Sequence, residues 1–200
     1  SPRDGLPSSV FRSWNTPRAI RYREVENIRG LLGTAVNVQS MVYGNMGKES
    51  GTGVAFTRNP STGDNTFYGE FLVNAQGEDV VAGIRTPQPV DEMPDWKTDS
   101  IEDLGQQVYS RLLEIKEILE NHYRDMQDIE FTIENGKLYM LQTRTGKRTG
   151  AAAVKMACGM VEEELIAEET AIRRTPANDR PRLRVPTFVP PAKGAPGGLT

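Results

Sequence analysis

The sequence predicts an α+β fold, an antiparallel sheet with flanking helices, and three observations lead there. Short segments with apolar residues at every second position are separated by turns rich in glycine, proline and asparagine. One apolar stripe at steps of three and four runs through Ile101, Leu104, Val108, Leu112, Ile115 and Leu119. The period then returns to two from Asp128 to Arg144, broken by Glu134-Asn135-Gly136. No internal repeat is found.

Thr16 caps a helix whose first position is Pro17, where a missing N–H costs nothing, and Gly30 stands beyond its end, which predicts a helix over Arg18–Ile28. Alternation from Thr34 to Tyr43 predicts a first strand, Val54–Thr57 a second, Phe67–Asn74 a third and Asp79–Ile84 a fourth. Asn59-Pro60-Ser61-Thr62-Gly63 is a turn. The stripe from Ile101 is the long helix, with Ser100 and Asp103 as its cap. A hairpin follows over Asp128–Arg144, then helices over Ala151–Glu163 and Ala167–Arg173. Prolines 176, 181, 186, 190, 191 and 196 make the remainder a linker. The expected organisation is a helical segment over 1–32, a sheet subdomain over 33–150, a helical tail over 151–175 and a linker over 176–200.

Among 200 residues, 37% are hydrophobic and 26% charged, and 24 Lys+Arg against 27 Asp+Glu leave a net charge of −3. That balance gives no general attraction to nucleic acid, which is not an expected partner. No run approaches the about 20 apolar residues of a membrane span, and the start lacks the charged-then-apolar order of a secretion signal. The lone Cys158 forms no internal disulfide, fits a reducing compartment and is expected as a small buried residue. The expected location is cytoplasmic. His122, the only histidine, reads as a helix-surface residue.

Asp128 and Glu130 are two apart on a strand, so both carboxylates face one side while Ile129, Phe131 and Ile133 face the other. Hard oxygen ligands on one face suit Mg²⁺, which keeps waters and is shared with phosphates. A solvated acidic face is the alternative. A two-residue Asn135-Gly136 loop would pair Ile129 with Gln142 and turn Gln142 and Arg144 away from the acids. A three-residue loop, Glu134-Asn135-Gly136, pairs Phe131 with Tyr139, Ile129 with Leu141 and Asp128 with Gln142. The second is preferred because both faces become consistent. Asp128, Glu130, Gln142 and Arg144 then converge as phosphoryl transfer requires, metal ligands beside a cation. Lys147 and Arg148 follow, in a run whose short length favours a solvated basic loop, with a weak nucleic-acid patch as the other reading.

The glycine-rich stretch from Gly44 to Gly53 is not a P-loop, because Glu49 follows Gly47-Lys48 and Val42 stands where the first glycine belongs. Its Ser50-Gly51-Thr52-Gly53 portion offers either backbone N–H groups to an anion or an ordinary hairpin turn. Glu70, in an otherwise apolar strand, needs a partner unless the strand exposes it. Glu78 reads from its turn as solvated.

Three runs carry a resemblance: Ser50-Gly51-Thr52-Gly53-Val54-Ala55-Phe56-Thr57-Arg58-Asn59-Pro60, the stretch from Gly69 to Pro87, and Asp128-Ile129-Glu130-Phe131 through Gln142-Thr143-Arg144-Thr145-Gly146-Lys147-Arg148-Thr149. They closely resemble the pyruvate, phosphate dikinase family, and the match covers about Val10 to Ile172. The resemblance implies an ATP-grasp nucleotide-binding domain that passes the β-phosphoryl of ATP to a histidine on a separate swivelling domain, toward phosphoenolpyruvate. It implies Mg²⁺ and ATP, the phosphohistidine domain of the same enzyme as partner, a homo-oligomeric full enzyme, and a plastid location where a transit peptide exists. It assigns Thr52 and Gly53 to a nucleotide-contacting glycine turn and Glu78 to an ATP-contacting acid. Asp128, Glu130 and Gln142 match the metal and phosphate site, with Arg144 beside them. The strand around Gln39, Met41 and Val42 lines adenine, and Glu70 is a further candidate.

The family's nucleotide domain also has a subdomain with a catalytic lysine, an arginine and a second glycine-rich loop, and its accepting histidine lies in a Thr-x-Gly-Gly-x-x-Ser-His pattern. Neither occurs in these 200 residues, so the chain is expected to be a fragment that binds ATP weakly and does not turn over alone. A phosphoenolpyruvate synthase-type module and a non-catalytic nucleotide-binding or interaction module are the alternatives.

Overall fold

A computed structural model describes residues 2–82 and 85–175. The proline-rich segment after 175 lies outside the described residues, as do Gly83 and Ile84. The chain falls into two compact units that divide between Met41 and Val42.

The first unit contains α1 (Pro2–Ser13) and α2 (Pro17–Val25). Thr16 caps α2 as expected, its hydroxyl accepting from Ala19 N–H at 3.4 Å. The helix stops short of Ile28 because Asn27 turns left-handed at φ 50° and Ile28 N–H donates to Arg23 O. Arg23 stacks 3.9 Å over the Trp14 ring and donates to Trp14 O. The alternation from Thr34 to Tyr43 forms no strand. Val38 is 88% and Met41 72% exposed, so burial selects neither parity, and among the described residues no strand pairs with this segment.

Among the described residues, the second unit has five strands in the order β3-β2-β1-β4-β5. They are β1 (Gly51–Phe56), β2 (Tyr68–Val73), β3 (Gln88–Pro89), β4 (Gln127–Glu134) and β5 (Lys137–Thr145), and every pairing is antiparallel. The structure is thus α+β. The expected strand over Asp79–Ile84 is instead α3 (Gly77–Ala82). Asn74 ends β2 at φ 51°, and the Asp79 carboxylate accepts from Gln76 N–H at 2.8 Å, closing a turn that carries Val80 into helix despite its β-branch.

A 3₁₀ segment (Val90–Asp95) and α4 (Leu104–Tyr123) cover one face of the sheet. Ala55, Phe71, Ile129, Phe131 and Ile133 meet Met93, Trp96, Leu104, Val108 and Leu112 there, all buried. Gly53 belongs to this face: a Cβ on it would lie 2.5 Å from the Phe131 ring. The expected Ser100/Asp103 cap is not made. Backbone carbonyls meet the first helical N–H groups instead, Leu104 N–H donating to Ile101 O and Gly105 N–H to Trp96 O at 2.9 Å.

The tail forms α5 (Gly150–Glu162) and α6 (Glu168–Arg174). Met156 and Met160 of α5 pack with Met126 and Ala152 against Phe56, Leu165 and Ile166. Cys158 is exposed, contrary to expectation, because the methionines occupy the inward stripe of α5. Among the described residues no helix is long and apolar enough to cross a membrane.

Candidate functional site

The hairpin turns on two residues, not three: Asn135 (φ 49°) and Gly136 (φ 78°) are both left-handed, and Glu134 already pairs with Lys137. By itself that turn sends Gln142 to the core face. The ladder corrects this with a bulge. Phe131 pairs with Met140, whereas Glu130 pairs with Gln142, so Leu141 is an extra residue in β5. Beyond it Asp128 pairs with Arg144, and directly paired residues share a face. Asp128, Glu130, Gln142 and Arg144 thus share a face, by a bulge in place of a longer loop, and Asp128 opposes Arg144 instead of the expected Gln142.

The face opposite the core is laid out in rows by the register. One row reads Glu70, Val54, Glu130, Gln142 across β2, β1, β4 and β5; the next reads Tyr68, Phe56, Asp128, Arg144. Arg144 Nε donates to Asp128 Oδ2 at 2.8 Å, with the aspartate side chain 13% and the arginine 60% exposed. That hydrogen bond and the Asp128 charge raise the Arg144 pKa above its ordinary value, and Glu130 adds to the effect. Among the described residues, the terminal nitrogens of Arg144 have no hydrogen-bond partner. Glu70 is exposed on this face, which removes the need for a buried partner.

Thr52 and Gly53 lie inside β1 and not in a turn. The Thr52 hydroxyl is turned inward, donating to Phe131 O at 3.1 Å beside the Thr132 hydroxyl. The glycine turn proper is residues 44–50. Asn74 holds it, with its side chain accepting from Gly47 N–H and its own N–H donating to Ser50 O. Glu78 is exposed in the first turn of α3, following β2 at the sheet end away from Asp128. Gln39 and Met41 are exposed residues of the first unit, outside regular secondary structure. Val42 is partly buried in the second unit, where the neighbouring Tyr43 N–H donates to Glu134 at 2.8 Å.

Among the described residues no group of three or more His, Cys, Asp or Glu is gathered to cage a metal. Two carboxylates and an amide oxygen on an open face fit a different kind of ion: Mg²⁺, which takes one or two carboxylates and completes its shell with water and phosphate.

A family profile described as pyruvate phosphate dikinase, AMP/ATP-binding domain, matches residues 7–92 and 90–165. The chain belongs to the pyruvate, phosphate dikinase family. It is 55% identical over 188 residues to pyruvate, phosphate dikinase of Clostridium symbiosum, covering 94% of this chain and 21% of that protein. It is also 55% identical to the chloroplastic pyruvate, phosphate dikinase 1 of Oryza sativa subsp. japonica, over 92% of this chain and 19% of the relative. The Rhizobium meliloti (strain 1021) enzyme is 55% identical over 94% of this chain and 22% of its own length. The chain thus spans about a fifth of the length of the curated relatives it matches. Both paired sides of the sheet, β1–β2 and β4–β5, fall within the family match.

Sequence reasoning left Arg58 unassigned. It is 1% exposed and bridges two carboxylates: Nε and Nη2 bond Glu120 of α4, Nη1 and Nη2 bond Glu163 at the end of α5. Burial alone would lower its pKa, but the two carboxylates outweigh this and raise it. The available signal was Glu120, a charge eight residues past Leu112 and therefore on the inward stripe of α4, where an unpaired carboxylate is costly.

Proposed function

We propose that this chain contributes one wall of an ATP-grasp nucleotide cleft, in an enzyme that transfers a phosphoryl group from Mg-ATP to a histidine of a separate domain, toward phosphoenolpyruvate. The observation that carries the reading is the row geometry at the hairpin base: Glu130 opposite Gln142, and Asp128 joined to Arg144, on a sheet face opposite the core.

In this reading Asp128, Glu130 and Gln142 hold Mg²⁺, and the ion offsets the phosphate charge when bound. Asp128 fixes Arg144 through Nε, which leaves the two terminal nitrogens to grip phosphate oxygens as a fork. The strand pairing sets the backbone positions of these groups before ATP arrives, which limits the reorganisation that binding requires. Glu70 lies in the same row as Glu130 and extends the polar surface toward β2. Glu78 serves as an ATP-contacting acid, and Val42, in the same unit, is offered to adenine. Thr52 and Gly53 serve as scaffold, since one hydroxyl is already bonded and the glycine makes room for Phe131.

An ATP-grasp cleft closes from two sides, so this wall alone should bind weakly. Calorimetry of the chain with ATP, with and without Mg²⁺, tests the reading. Weak, Mg²⁺-dependent binding that Glu130→Ala removes is expected, without phosphoryl transfer. Micromolar affinity with self-sufficient transfer would contradict the one-wall reading. No binding and no thermal protection at saturating Mg-ATP would replace it with a non-catalytic module.

A further inference from the structure

The open end of the hairpin is fastened by a second ion pair outside the site. The ladder runs past Gln127–Thr145 by one bond, Gly146 N–H to Met126 O at 3.2 Å. There Arg148 grips Asp125 with two prongs, Nη1 to Oδ1 at 2.7 Å and Nη2 to Oδ2 at 3.1 Å, and its Nε donates to Gly146 O at 3.2 Å. Both side chains are only 16% exposed. Asp125 Oδ1 also accepts from Met126 N–H at 2.9 Å, and Arg174 of α6 lies 3.8 Å from it.

The clamp sits where Arg144 most needs support. Asp125 precedes Asp128 by three residues and Arg148 follows Arg144 by four. β5 is an edge strand, and Arg144 is its penultimate residue with a largely exposed side chain. Edge-strand ends open readily, and an exposed arginine gives up much rotamer freedom to hold one geometry. A planar two-pronged pair fixes orientation as well as distance. Pinning both chains just beyond the last ladder bond therefore restricts the backbone from which Arg144 reaches Asp128.

We propose that Asp125 and Arg148 are positioning residues, a clamp across the open end of the hairpin that keeps Arg144 bonded to Asp128. The value of that placement rests on the phosphate-gripping role proposed for Arg144, so the geometry is tested without nucleotide.

The test is side-chain hydrogen exchange by NMR on the ¹⁵N-labelled 200-residue chain, with the Arg144 Nε–H assigned by its loss in Arg144→Lys. In the wild type this proton should exchange slowly, about tenfold or more below an exposed arginine. In Arg148→Lys and in Asp125→Asn it should speed up to the exposed-arginine rate, while the Ile129 and Phe131 amides keep their protection. Slow Arg144 exchange in both variants, or fast exchange already in the wild type, overturns the proposal. So does loss of Ile129 and Phe131 protection, which would make the clamp a general element of stability. Direction is checked with Asp128→Asn, which should leave the Arg148 Nε–H slow; if that proton also speeds up, the two pairs form one mutual network and the clamp has no separate positioning role. Failure of the wild-type chain to bind Mg-ATP would remove the phosphate role of Arg144 and leave the exchange result standing.

Discussion

Glu130 and Gln142 face each other across β4 and β5 because Leu141 is accommodated as an extra residue in β5. Without that bulge the same two-residue turn would set Leu141 opposite Glu130 and send Gln142 toward the core.

A length change at this point has an asymmetric outcome. Deleting Leu141 removes the extra residue and leaves a regular ladder in which Gln142 still opposes Glu130 and Arg144 still opposes Asp128. Inserting one alanine after Leu141 either turns Gln142 and Arg144 to the core face, if the bulge persists, or slides them two residues along β4, if the ladder regularises, and in both cases Arg144 no longer opposes Asp128. NMR contacts between Arg144 and Asp128 should therefore survive the deletion and vanish in the insertion. The reverse result would mean that the bulge does not set the register.

In the proposed Mg²⁺ site, Glu130 is the residue whose loss is expected to be felt most in Mg²⁺-dependent binding, since Asp128 already shares one oxygen with Arg144. A contact involving a charged group contributes about 1.5–3 kcal/mol, which is about ten- to hundredfold in affinity. Glu130→Gln should weaken Mg-ATP binding by that factor and leave binding of Mg²⁺-free ATP unchanged. Equal weakening with and without Mg²⁺ in calorimetry would argue against a metal role.

The hairpin acids were legible because a strand allows only two directions for a side chain, so Asp128 and Glu130 had to share a face whatever the rest of the fold did. The partner strand was harder to read, since its face depends on the parity of turn plus bulge, and a bulge carries no mark in Met140-Leu141-Gln142. Val80 and Val81 read as strand by propensity, yet the Asp79 carboxylate on Gln76 N–H and the left-handed Asn74 decide for helix, and such local side-chain bonds outweigh propensity. The segment 34–43 shows the same limit from the other side. Alternation makes a strand only when another strand accepts its hydrogen bonds, and the sequence does not say whether one is there.

Arg58 should prove a centre of stability in the second unit. Its removal deprives Glu120, 5% exposed, of its hydrogen-bonded guanidinium. Breaking a buried pair by removing one partner costs about 3–5 kcal/mol. At about 2–4 °C per kcal/mol for chains of this size, Arg58→Ala should melt about 6–20 °C lower. The double change Arg58→Met with Glu120→Leu removes both charges from the buried pair and should recover most of the loss. If Arg58→Ala melts within a degree of the wild type, the network does not hold α4 and α5 to the sheet.

Glu163 gives that network a pH dependence of definite sign. The Arg58 hydrogen bonds hold its pKa below the ordinary glutamate value, assisted by Asn65 and the charge of Lys116 and opposed by partial burial. A carboxylate depressed in the folded state contributes stability that is present at neutral pH and lost as pH falls through the folded value, because in that window the unfolded chain binds the proton more readily. The loss should therefore begin in the ordinary glutamate range, where the unfolded chain takes up the proton, and be complete only below the folded value. Asp64, lowered by its hydrogen bonds from Lys155 and Thr62, adds in the same direction. Glu163→Gln should be less stable than the wild type at pH 7, and the gap should close as pH falls through the folded pKa of Glu163. Denaturant midpoints from pH 7 down to 3 measure it, and a gap that stays constant across that range would show that Glu163 contributes no linked proton.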